Sequence, residues 1–276
     1  MKTIKQIIRG LLILVFLLPT TIFSQTQDQL FVKVKTMHWN MNLDDFSMQD
    51  WKAVELEYFN KVTMQNEYIL STTVLQHHFT GDSSEVLFIT VFSSWNNIDL
   101  ATQRTNELVE KAWPNEEDRK AFLKKQAKFY ANEHSDEIYK SIPGAIRLEE
   151  TDLPLLYYVR TSYYSFPEEG TKEEFQSLLN EYNEVVTNNN EFYKGYYPQM
   201  HFYGSDRTEF LEVFCAETLA GLEKGIAKQG ELFRAHWSDQ NAQDEYNDKY
   251  GKYLTGIHSD RIFSSVPDLY KPLPQN

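Results

Sequence analysis

One pattern occurs twice in this chain, and that repetition constrains its fold more than any other feature. His134-Ser135-Asp136-Glu137-Ile138-Tyr139-Lys140-Ser141-Ile142-Pro143 returns 124 residues later as His258-Ser259-Asp260-Arg261-Ile262-Phe263-Ser264-Ser265-Val266-Pro267. The displacement holds upstream without a gap, aligning Trp113 with Trp237, Leu87 with Leu211, Asp82 with Asp206, His77 with His201 and Tyr58 with Tyr182. Residues 55–143 and 179–267 share 21 identities in 89 positions. One added residue before the first helix also aligns Thr36 with Thr161 and Trp39 with Tyr164. Similarity at a fixed displacement marks a repeated structural unit, so repeats are expected at 27–150 and 151–276. The junction near Gly144 to Leu153 has no Gly/Ser tract, which favours packed halves over freely moving ones.

Residues 1–24 place Lys2, Lys5 and Arg9 before the apolar run Leu11 to Leu18 and end in the small residue Ser24. That order reads as an export signal, with a periplasmic or extracellular destination and no stable membrane span after cleavage. Its removal takes away three basic residues and no acidic one. From 27 basic and 40 acidic residues, the formal charge then becomes −16. Such a surface repels phosphate backbones, so no nucleic-acid partner is expected. A single cysteine, Cys215, rules out an intrachain disulfide and any cluster held by several thiolates of this chain.

Each half has the same periodicities. Leu30 to Thr36 alternates apolar and basic residues as a strand with one wet face, and Leu155 to Thr161 is its counterpart. Trp51, Val54, Tyr58 and Val62 form a helical stripe repeated by Phe175, Leu178, Tyr182 and Val186. A β-hairpin follows in each half, around Thr80-Gly81-Asp82 and Gly204-Ser205-Asp206. Pro198 implies an edge or irregular strand there. Two helices broken at Trp113-Pro114, with analogues at about 219–236 and 240–254, precede a short final strand near Glu137 to Ser141 and Arg261 to Ser265.

The order strand, helix, strand, strand, helical region, strand resembles the ferredoxin-like unit of the dimeric α+β-barrel superfamily. The resemblance implies an α+β fold in which tandem ferredoxin-like repeats form a pseudo-twofold barrel. It also implies that haem or oxygenase-like chemistry is open to such a chain, with His201, His236 or His258 as candidate axial ligands.

Aromatic residues make up 14% of the chain, enough to line a pocket as well as fill a core. His77 and His201 end corresponding hairpin strands and are candidates for a shared site, as ligand contacts, metal ligands or proton carriers. Tyr197 and Tyr203 flank His201, and His38 with Trp39 ends the first strand. All six are candidate ligand-binding residues. His134 with Asp136 and His258 with Asp260 are repeated candidates in what reads as a turn after the last helix, closed by Ser and Asp side chains. Consecutive His-Ser-Asp residues cannot converge as a nucleophile triad. No glycine-rich nucleotide loop, HExxH motif or calcium loop is present. The expected function is an exported protein that binds a small apolar or aromatic molecule between or at the ends of its sheets. The alternatives are a metal- or haem-dependent enzyme, and a structural module with a protein partner.

Overall fold

A computed structural model describes residues 29–149, 151 and 153–274, so the expected export signal lies outside the described residues. The first half runs β1 (Phe31–Trp39), α1 (Met48–Tyr58), a π-helical turn (Phe59–Thr63), β2 (Ser71–Phe79), β3 (Glu85–Phe92), α2 (Asn96–Ala112), α3 (Glu116–Ala127) and β4 (Tyr130–Ser141). The second runs β5 (Leu156–Tyr164), α4 (Lys172–Val185), β6 (Gly195–Tyr203), β7 (Glu209–Ala216), α5 (Leu219–His236), α6 (Gln240–Gly251) and β8 (Leu254–Ser265). Local chemistry sets the helix starts. The Ser47 hydroxyl accepts from the Asp50 N–H at 3.2 Å, and the Thr171 hydroxyl from the Glu174 N–H at 3.0 Å. As Trp113-Pro114 predicts, α2 stops at Ala112 and Asn115 caps α3.

The strands close into one antiparallel barrel in the order β1-β3-β2-β8-β5-β7-β6-β4. Corresponding pairs share their register: Phe31 lies opposite Phe92 and Leu156 opposite Ala216, while Thr36 lies opposite Ser135 and Thr161 opposite Ser259. Two seams join the halves, β2 with β8 and β4 with β6.

Two local expectations change. The His-Ser-Asp triplets are not turns; they lie inside the twelve-residue strands β4 and β8, because β1 and β5 offer each a ladder along its length. Pro198 is not on an edge, since a closed barrel has none, but its strand is irregular, with a register shift against β4 between Ile138 and Tyr139. It sits one residue beyond the β4 ladder, which begins at Gln199, and its carbonyl accepts from the Ile142 N–H at 2.9 Å.

Alternation turns Val32, Leu75, Leu87, Tyr139, Tyr157, Val159, Leu211, Val213 and Phe263 into the barrel, where they pack as one cluster. The inter-sheet space expected to hold a ligand is therefore filled by side chains. At one barrel end a crevice between Thr73, Leu148, Leu155, Tyr157 and Tyr270 has room for about one water.

A helical layer covers each sheet from outside. Trp51, Val54, Val62, Leu108, Trp113 and Phe122 pack on Val74 and Val86 in the first half. Phe175, Leu179, Val186, Trp237 and Tyr246 pack with Phe210 in the second. Glu55 is only 5% exposed beneath the first layer. The Tyr130 hydroxyl donates to its carboxylate at 2.7 Å, Gln126 Nε2 donates to both oxygens at 3.1 and 3.0 Å, and Trp51 Nε1 donates to Tyr130 at 2.7 Å. Burial still raises the Glu55 carboxyl above its ordinary value of 4.5, against those hydrogen bonds and the Lys35 charge.

Phe263 is fully buried where β8 meets both β2 and β5. Phe263→Ala is expected to cost about 3–5 kcal/mol, read as a lowered urea midpoint. A raised folded pKa means that Glu55 favours the folded state fully below its ordinary value and loses that contribution as pH rises through the raised one. The melting temperature of Glu55→Gln should therefore gain on the parent as pH rises above the ordinary value of 4.5. A constant difference would contradict this.

Candidate active site

The residues singled out from the sequence lie in several places. His77 and His201 both end up on the inner face near the same barrel end. His77 Nδ1 is 2.8 Å from the Thr80 hydroxyl, while His201 Nε2 is buried without a partner, its ring 6.5 Å from that of Tyr139. Glu85 and Glu209 lie near them, Glu85 3.8 Å from Arg261 and Glu209 accepting from the Tyr139 hydroxyl at 2.7 Å. Tyr197 lies deeper, its hydroxyl accepting from the Leu148 N–H at 2.8 Å and so tying the junction to the barrel. Tyr203 is 63% exposed and packs beside Trp95.

His38 Nδ1 meets the Ser84 hydroxyl at 3.1 Å and Asp82 at 3.2 Å on the hairpin. Trp39 points the other way, under α1, against Trp51 and Tyr130. His134 and His258 stand 3.4 and 3.6 Å from Asp136 and Asp260, which pair with Lys33 and Arg160.

A different group gathers on the outer face of β5, β7 and β6, beneath α4–α6. Glu212 lies in β7, opposite Arg160 on one side and Pro198 on the other. The hydroxyl of fully buried Tyr196 donates to its Oε1 at 2.8 Å. Burial pushes the Glu212 carboxyl upward, against the opposing influence of Tyr196 and the Arg160 charge, yet the residue keeps partial solvent access. Tyrosines surround it. Tyr182 is pushed up to about 12 by burial and by the Glu212 charge, and Tyr164 and Tyr250 rise for the same reasons. One polar atom here, the Tyr164 hydroxyl, is buried without a hydrogen-bond partner. Gly144, at φ 103°, lets the junction pass above Asn183, since a Cβ there would lie 2.8 Å from Nδ2. Arg160 closes one side, donating to both oxygens of Asp260 at 2.9 and 3.1 Å.

The first half has no such group. The residue 124 positions before Glu212 is Phe88, whose ring packs on Tyr130 at 5.9 Å. The counterpart of Tyr196 is Thr72, which donates to the Ile89 carbonyl. A readable signal for Glu212 was present in the sequence: it is the one acid within the apolar run Phe210 to Ala216, on the same strand face as Phe210 and Phe214. A partly accessible carboxyl with a raised pKa in an apolar setting can act as a base near neutral pH.

Solved structures share the fold. A candidate monooxygenase from Lactobacillus acidophilus NCFM superposes with a TM-score of 0.52 at 10% identity, over 89% of this chain and 97% of its own. Another, from Fusobacterium nucleatum subsp. nucleatum, gives 0.52 at 10% identity, over 87% and 93%. A mutant chlorite dismutase from Candidatus Nitrospira defluvii gives 0.52 at 10% identity, over 87% and 92%. The shared architecture is an α+β barrel with an antiparallel sheet and helices outside it, as the resemblance implied. No protein-family profile and no curated protein matches the sequence.

None of the three histidines expected as axial ligands is placed to hold a haem at the Glu212 interface. His201 is turned into the barrel; His236 and His258 are nearly half exposed, beside Glu181 and Asp260. None offers its imidazole to the interface around Glu212. Among the described residues no three His, Cys, Asp or Glu side chains group as metal ligands. Cys215 is buried and its thiol is pushed up by burial, which disfavours the thiolate. Adding haemin at one equivalent is expected to give no shifted Soret band. A 1:1 complex abolished by His201→Ala or His258→Ala would overturn that expectation.

Proposed function

We propose that this chain is an enzyme that uses Glu212 as a general base on a small apolar or aromatic substrate, bound between the β5–β7–β6 face and α4–α6. The observation that carries this reading is the contrast between two buried glutamates. Glu55 has both carboxylate oxygens hydrogen-bonded and is sealed in, as a structural acid would be. Glu212 has one oxygen held by Tyr196, partial access and an unpartnered polar neighbour in the Tyr164 hydroxyl. In the proposed step, Glu212 removes a proton from an acidic O–H or C–H of the substrate. The electron pair of that bond stays on the substrate as a delocalised anion, and the carboxyl passes the proton to water. The Arg160 charge and the nearby phenols offset the charge of that anion. Fold neighbours described as candidate monooxygenases favour dioxygen as the co-substrate: the anion's electron pair forms a C–O bond to dioxygen, protonation of the resulting peroxide gives a hydroperoxide, and loss of water from it leaves a C=O where the substrate carried CH2.

Two further readings belong with this one. Matched strand order and register support tandem ferredoxin-like repeats at 27–150 and 151–276. The basic-then-apolar order of residues 1–24 supports export to the periplasm or beyond.

Dioxygen uptake with a panel of hydroxylated polycyclic aromatics and β-diketones tests the enzyme reading. Glu212→Gln should lower kcat/KM by about 10²–10⁴-fold with an unchanged circular-dichroism spectrum. Tyr196→Phe removes a hydrogen bond that favours the ionised base, so the acid limb of its pH–rate profile should move to higher pH. Unchanged turnover in Glu212→Gln, or no turnover of any panel member, would reject the base.

A further inference from the structure

At the end of β5, beside the Glu212 interface, the chain holds a bulky ring in an unfavourable backbone conformation. Among the described residues Phe166 is the one non-glycine residue with positive φ, at 50°. A large side chain tolerates the left-handed region poorly and stays there only where its neighbours impose it. They do so here. The Tyr164 N–H donates to the Thr208 carbonyl at 2.8 Å and the Ser165 N–H to the Tyr253 carbonyl at 2.9 Å, while the Ser165 hydroxyl donates to the Lys252 carbonyl. The outcome is a phenyl ring left 58% exposed, which packing of the core does not explain. The first half differs, tucking Phe46 against Trp39 and Phe129 in the matching loop.

Two polar groups stand beside that ring. The Arg207 guanidinium lies 5.6 Å from its centroid, on the β6–β7 hairpin. In a chain where acids outnumber bases 40 to 27, Arg207 makes no ion pair among the described residues. Tyr164, 5.9 Å from Phe166 between ring centroids, carries a buried hydroxyl with no hydrogen-bond partner. The Tyr164 ring also packs on Phe175 and Phe210, in the layer that covers Glu212. An exposed ring beside a guanidinium that makes no ion pair among the described residues is complementary to one kind of molecule.

We propose that Phe166 and Arg207 form an entrance subsite for an aromatic ligand that carries a carboxylate. The ligand ring stacks on Phe166, which Tyr164 backs from inside, and its carboxylate takes the planar donors of Arg207. This names the substrate class for the Glu212 site and rests on the reading of that site as the place where the ligand is used.

Calorimetric titration of the full chain with 2-naphthoate and with its neutral analogue 2-naphthalenemethanol tests the subsite. The carboxylate should bind about tenfold more tightly than the alcohol, a preference that fades with added salt. Arg207→Gln should remove the preference while leaving the alcohol's affinity unchanged; Arg207 is exposed, so the variant keeps its fold. Phe166→Leu should weaken both ligands. Phe166→Gly should raise the melting temperature, since glycine accepts the backbone, yet weaken both ligands as well. Equal affinity for the two compounds, a preference that survives Arg207→Gln, or binding of neither would overturn the subsite. Glu212→Gln separates the two ideas. A preference that persists in a protein without Glu212-dependent turnover upholds the subsite and removes the base, and the reverse result upholds the base alone.

Discussion

Backbone pairing across the two seams, β2 with β8 and β4 with β6, leaves no strand with an open edge, and each helical layer then has a curved, continuous face to lie on. Once the barrel is closed, alternation within each strand gives two environments. The inner set, from Val32 to Phe263, meets across the barrel and fills it. The outer set must be covered, and helices do this for the strands on either side of β3 and β7. Closure also packs the middle of the barrel, since inward side chains of eight strands converge on one small volume.

The same geometry treats two buried carboxyls differently. Glu55 is on a helix and reaches into a corner where Tyr130 and Gln126 supply donors for both oxygens. Glu212 is on a strand, so its side chain is held upright in the middle of the sheet face with a single donor from Tyr196. Desolvation raises both. A satisfied, sealed carboxyl orders its surroundings, while one with a free oxygen and access to solvent can exchange a proton. That difference in satisfaction, more than depth of burial, separates a structural acid from a chemical one.

Much of the fold was legible from residue spacing. The stripe Trp51, Val54, Tyr58, Val62 and its counterpart at Phe175 predict helices that are there, and Trp113-Pro114 predicts the break that Asn115 caps. The His-Ser-Asp segments misled because Ser and Asp are turn formers by local preference, whereas here a neighbouring strand supplies the partners along their length. Of the candidate site, the aromatic enrichment pointed to a ring-lined pocket between or at the ends of the sheets rather than under the helices, although Tyr197 and Tyr203 lie on the strand that also carries Tyr196. The alternation that put Tyr197 in the barrel put Tyr196 beside Glu212. Without the register, nothing distinguished one neighbour from the other.

Spacing and alternation along the chain thus determined which segments are helix or strand, where the helices start and which residues recur at equivalent places, because each depends on neighbours within a few residues or on direct self-comparison. The tertiary structure decided that the middle of the barrel is packed, that Glu212 has a single hydrogen-bond donor on its sheet face, and that Phe166 is held strained beside Arg207. Those outcomes depend on contacts between β5, β6 and β7 and the helices over them, distant in sequence, and on how volume and hydrogen-bonding capacity are shared once the strands have closed.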